Sequence, residues 1–136
     1  MRGSLRMAKR RFTFSSLLPP YAPPRNEWRR RVHAAVLEAQ AARGVGYSEA
    51  DRLEVRLELY LGSRPLAMTD IDDRVNDIID ALGGYIAGPR SHRRIAPIVP
   101  NADQIRRITL EKSPRVPRGR PIGQITLARY RRRRRA

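Results

Sequence analysis

The sequence has no cysteine, which excludes disulfides, thiolate nucleophiles and cysteine-ligated zinc. Its two histidines, His33 and His92, are too few for a structural zinc centre, and neither has the neighbouring Ser/Asp arrangement that nucleophilic catalysis uses. Any metal must therefore be held by oxygen. The glycine-containing segments match neither a Walker loop nor a dinucleotide fingerprint, so no small-molecule cofactor is expected. No apolar run approaches the roughly 20 residues needed to cross a bilayer, and the arginine-rich start lacks the apolar stretch of a secretory signal. A cytoplasmic protein without membrane contact is the expectation. Acids are scarce as well: 13 Asp+Glu stand against 29 Lys+Arg, a formal charge of +16.

That charge is not spread evenly. Residues 1–32 carry nine basic residues and one acid, and residues 113–136 carry nine basic residues and no acid. The middle, 33–112, holds 11 basic and 12 acidic residues and is close to neutral. A chain of 136 residues suits one small domain, here with a basic arm at 1–10, a globular part at 11–128 and an Arg-rich tail at 129–136. Flexible basic termini around a neutral core point to a polyanionic partner.

Hydrophobic periodicity predicts an α/β (α+β) fold with a mixed β-sheet and two main helices. Residues 11–18 alternate as a short strand with Phe12, Phe14 and Ser16 on one side. Pro19, Pro20, Pro23 and Pro24 make an extended connector, and Asn26 is placed to cap a helix. That helix, about 27–42, presents Trp28, Val32, Ala35, Val36 and Ala39 as one stripe and stops at Gly44 and Gly46. In 52–61, Leu53, Val55, Leu57 and Leu59 alternate with polar residues, the pattern of a strand covered on one face. Val75, Ile78, Ile79 and Leu82 predict a second helix over about 72–82, preceded by an extended segment and ended by Gly83 and Gly84. Residues 85–100 are expected as an exposed loop, and 104–111 and 121–130 as two further strands.

The acids of TDIDD, Thr69 to Asp73, are the candidates for chemistry. In an extended chain Asp70 and Asp72 point the same way and can share one hard cation. Mg²⁺ would relieve their repulsion, activate water and polarise a phosphodiester oxygen. A second explanation fits the same residues: Asp and Thr are preferred at helix N-termini, where they accept backbone N–H bonds. Farther along, Asp77 is expected on a solvated face, and Asp80 in a buried hydrogen bond or on an exposed face.

The spacing D-x-D-D from Asp70, followed by Asp80-Ala81-Leu82, resembles the D-x-D-N…D-A-L signature of RusA-type Holliday junction resolvases. The surroundings agree over roughly residues 11–112: a strand ending in a Pro-rich turn, a Trp-containing helix, the strand VRLELYL before the acids, and Asp103-Gln104-Ile105 opening a strand after them. The resemblance implies a homodimeric endodeoxyribonuclease that makes paired cuts in four-way DNA junctions during recombination and repair, with Mg²⁺, or Mn²⁺, held by three aspartates. Asp70 and Asp72 match two of them, and Asp73 stands where the family usually carries Asn. Ala102 occupies the position of the third, which leaves Asp103, one residue on, for that role if a loop or bulge re-aims it, with Asp73 as a further ligand. Asn76 stands where the family has a basic residue.

Phosphate contacts are expected from Arg10, Arg11, Arg29, Arg30, Arg74, Arg93, Arg94, Arg131, Arg132 and Arg133, since guanidinium pairs with phosphate through two parallel N–H bonds. The competing expectation is a non-catalytic basic nucleic-acid-binding protein, either a fold relative without its site or a component of a ribonucleoprotein particle.

Overall fold

The computed structural model describes residues 10–60, 68–91, 93–115 and 118–132. His92, residues 1–9 of the expected basic arm with Lys9, and residues 133–136 of the expected tail with Arg133 lie outside the described residues.

Three short sequences make the covered sheet. β1 (Phe14–Leu18) turns Phe14, Ser16 and Leu18 inward, β2 (Leu53–Tyr60) buries Leu53, Val55, Leu57 and Leu59, and β4 (Gly123–Arg129) buries Ile125 and Leu127. The strand starts at Phe14 rather than at residue 11, so Phe12 precedes it, and Leu18 continues the face of Phe14 and Ser16. β3 (Ile105–Ser113) completes a four-stranded sheet of order β1-β4-β2-β3. β4 is antiparallel to both of its neighbours, while β2 and β3 are parallel, so the sheet is mixed as expected.

The helices α1 (Arg25–Arg43) and α2 (Met68–Leu82) share one buried cluster with the sheet. Trp28, Val32 and Val36 from α1 meet Ile71, Ile78, Ala81 and Leu82 from α2 over the inward strand residues. Trp28 is fully buried and donates its indole N–H to the Pro19 carbonyl, 3.2 Å away, which ties the proline connector to the core. At the far end of α1, Gly44 adopts φ 69° and its N–H reaches the Ala41 carbonyl, a left-handed stop that other residues resist.

Four expectations require correction. α1 begins one residue after Pro24, which occupies the cap position; Asn26 lies inside the helix and accepts a hydrogen bond from Arg29. Proline's fixed φ and missing N–H favour such a start. α2 begins at Met68, four residues earlier than the periodicity indicated, so residues 70–73 are helical rather than extended. The segment 85–100 is not wholly exposed, because Ile86, Ile98 and Val99 are buried and the N–H groups of Ile98 and Val99 bond to the Leu82 carbonyl. Gly84 permits that return, with φ +82° and a Cβ position only 2.2 Å from the Ile95 carbonyl oxygen. Asp77, finally, is buried.

Candidate functional site

α2 starts with a run of acids on its exposed side. Asp70, Asp72 and Asp73 are all exposed, and none of them forms an ion pair among the described residues. An α-helix advances about 100° per residue, which separates Asp70 from Asp72 by about 200° and from Asp73 by only about 60°. The helix therefore gives Asp70 and Asp73 a common face and turns Asp72 away. Mg²⁺ commonly keeps several waters and takes one or two carboxylates together with substrate phosphate oxygens. Asp70 and Asp73 fit that donor requirement; the Asp70–Asp72 pair, which the extended reading favoured, does not.

The next turn of α2 is built differently. Asp77 is 0% exposed and receives three guanidinium groups: Arg25 at 2.8 Å, Arg29 at 3.1 Å and Arg74 at 3.2 Å. Burial of a carboxylate is tolerable only with such compensation. Asp80 adds a longer contact to Arg29, at 3.4 Å, and its carboxyl is held above the usual range, mainly by burial and secondarily by the charge of Asp77. Arg74 is also laid over the rings of Tyr21, 3.7 Å away, and Trp28, 5.6 Å away. This network fixes α2 against the start of α1, and so fixes the exposed acids one turn before it.

Asp103 stands elsewhere. It belongs to a single 3-10 turn, Ala102–Gln104, in which the Asn101 side chain accepts the Asp103 N–H and Gln104 returns a bond to the Asn101 N–H. Gln104 is buried and donates to the carbonyls of Ser48 and Asp51, just before β2 begins. Arg74, in contrast, rests on Tyr21, in the connector that leaves β1 where Leu18 pairs with Gly123 and Gly123 with Leu59. The two acidic segments are thus anchored at opposite ends of β2. Among the described residues no three acidic or histidine side chains gather closely enough to hold an ion.

The expected phosphate-binding arginines divide in the same way. Arg30, Arg93, Arg131 and Arg132 are exposed. Arg29 and Arg74 are 9% and 13% exposed and committed to Asp77, so they brace the fold instead of facing a ligand. Arg10 pairs with Asp51, Arg11 donates to the Arg43 carbonyl at 3.2 Å, and Arg94 donates to the carbonyls of Gly83 and Pro100. His33, a residue without an assigned role in the sequence, is buried on a hydrogen bond of 2.7 Å to the Ala96 carbonyl and holds the 85–100 segment. Sequence reasoning missed Arg25, Arg56, Arg107 and Arg129. The alternation in 52–61 already placed Arg56 on the outer face, but its neighbours depend on long-range strand pairing. No family model, curated protein or solved structure matches this chain.

Proposed function

We propose that this protein is a Mg²⁺-dependent, structure-specific endonuclease acting on four-way DNA junctions, with Asp70 and Asp73 as its principal cation ligands and Asp72 on a neighbouring face of the same helical turn. One observation carries the reading: in an arginine-rich chain Asp51, Glu54, Asp77 and Asp80 are each ion-paired with arginine, whereas three acids within one turn at the start of α2 are exposed and form no ion pair among the described residues, Asp73 feeling Arg25 only at longer range. Clustered like charges raise the free energy of a surface, and a cation or an anionic ligand's metal relieves them more fully than a distant arginine does.

A bound Mg²⁺ would supply Lewis acidity toward a phosphodiester oxygen. The chain supplies the rest. Asp70 and Asp73 hold negative charge at one place on a protein of +16, which keeps a cation there while the excess positive charge of the chain attracts the DNA backbone. The Asp77 network keeps α2 rigid against α1, so the ligands are positioned before substrate arrives. Two such sites related by a two-fold axis suit the near-symmetry of a four-way junction. The edge strand β3 offers a surface for a second copy, since Ile108 and Leu110 are 48% and 40% exposed there.

The experiment is incubation of the purified protein with labelled four-way junction and linear duplex, with and without Mg²⁺. Junction-selective nicking that requires the cation is expected. Junction binding without cleavage in Mg²⁺ or Mn²⁺ would replace this reading with the non-catalytic binder, which the separate placement of Asp103 favours.

A further inference from the structure

We infer that the face of the sheet turned away from the helices is a second binding surface, one that takes a single-stranded nucleic acid. No described element covers this face. A groove of about 780 Å³ runs across it between Arg10, Arg56, Arg129 and Arg131, floored by Glu54, Thr126 and Ala128. A second hollow of about 490 Å³ continues it past Arg56, Arg131 and Arg132 to Arg107, Thr109 and Glu111.

Strand register creates this surface. β2 pairs with β3 so that Glu54 lies beside Arg107 and Arg56 beside Thr109, and with β4 so that Arg56 lies beside Thr126 and Glu54 beside Ala128. Along the lining of the two hollows, six arginines face Glu54 and Glu111, and of the six Arg10 is already paired with Asp51. Glu54 is nearly buried and lies 3.7 and 3.8 Å from Arg56 and Arg107, so it orients these guanidinium groups while leaving an excess of positive charge. That excess selects a polyanion and disfavours a second copy of a chain whose own charge is +16.

Single strands fit better than duplex for a reason of shape. Guanidinium groups lie on aromatic rings at the rim: Arg10 and Arg129 are 4.6 and 5.3 Å from the centre of Phe12, and Arg107 is 4.9 Å from that of Tyr130. A guanidinium held against a ring in this way offers, with the ring, a cationic and aromatic surface on which an unstacked base can stack. Thr109, Thr126 and Ala128 are short, and leave the sheet open to such bases. In a duplex the bases are already stacked and would reach only the charges. The surface lies on the opposite side of the sheet from α2, so the inference is independent of the cation-binding role given to Asp70 and Asp73.

The test is fluorescence anisotropy with oligothymidylate and oligouridylate of about 15 nucleotides, within the range a single small binding fold accommodates, and a duplex of equal length. Arg56→Ala/Arg131→Ala alters two exposed groove residues. Loss of two single-strand phosphate contacts should lower the salt slope by about 1.4 and weaken binding about tenfold at 0.15 M salt. Thr109→Glu, which removes no contact but adds an anion to the groove, should weaken single-strand binding as well. Asp70→Asn should leave it unchanged. Unaltered single-strand affinity in both groove variants overturns the inference, and so does an equal loss for duplex and single strand, which would mark a purely electrostatic surface.

Discussion

Replacing Asp77 by Asn is expected to destabilise the protein more than any other single change of charge, for reasons visible in its surroundings. The substitution keeps the side-chain size and removes one negative charge from the centre of three arginines. Arg25 is 46% exposed and can turn to water, but Arg29 and Arg74 are nearly buried, and their Nε atoms have no hydrogen-bond partner even in the intact network. Removing one member of a buried pair costs about 3–5 kcal/mol. Arg29 keeps Asp80 and Asn26 as secondary partners, which favours the lower end of that range, about 3 kcal/mol. For a domain of this size, that corresponds to a fall in melting temperature of about 10 °C. Thermal unfolding followed by circular dichroism at pH 7 measures it, with urea unfolding as an independent estimate. A fall of less than about 3 °C would refute the reasoning, because it would mean that the three guanidinium groups are hydrated without the carboxylate.

The neighbouring Asp80→Asn should behave oppositely: burial raises the Asp80 carboxyl pKa, so the folded state holds its proton more tightly than the unfolded chain and its ionised form at pH 7 is a cost. The variant is expected to melt at the same temperature or higher near pH 7, with any gain fading as pH falls through the raised pKa; a large loss at pH 7 would show that its pairing with Arg29 outweighs burial. Arg10 holds the Asp51 carboxyl below its ordinary range, chiefly by a side-chain hydrogen bond. That stabilisation is complete above the ordinary value near ~3.9 and is lost as pH falls through the depressed folded value, so the melting difference between the unmodified protein and Arg10→Ala should be present at neutral pH and vanish in acid. A difference independent of pH would assign the effect to packing on Phe12. Ile108→Glu places a charge on the exposed edge strand and should convert a dimer to a monomer in sedimentation while leaving the melting temperature of the monomer nearly unchanged; an unaltered mass would put the contact elsewhere.

Elements with a strong period were legible in the sequence. The alternation of Leu53 to Leu59 fixed both the strand and its buried face, and the Trp28, Val32, Val36 stripe fixed α1. The start of α2 was not legible, because Ile71 fits an alternating pattern as well as a helical one when the acids around it favour either a cap or a metal pair. Its burial in the core resolves the matter toward helix. Asp77 was misplaced on a solvated face because periodicity ranks an aspartate as polar and does not register that Arg25 and Arg29, 52 and 48 positions away in sequence, fold back on it. The candidate acids were legible as a cluster, but their directions depend on α2's first turn, and the distance of Asp103 from them depends on the parallel pairing of β2 with β3.

The measurement that bears most directly on the central claim is single-turnover cleavage of a four-way junction in Mg²⁺ by the unmodified protein and by Asp70→Asn, Asp72→Asn, Asp73→Asn and Asp103→Asn. Each substitution removes one negative charge without changing side-chain size, so a cation held by that carboxylate weakens while attraction to DNA phosphate does not. Cleavage is expected to be abolished in Asp70→Asn and Asp73→Asn, reduced less in Asp72→Asn and retained in Asp103→Asn, with junction binding equal or tighter in all four. Full activity in Asp70→Asn, or a loss confined to Asp103→Asn, would contradict a catalytic site at the start of α2.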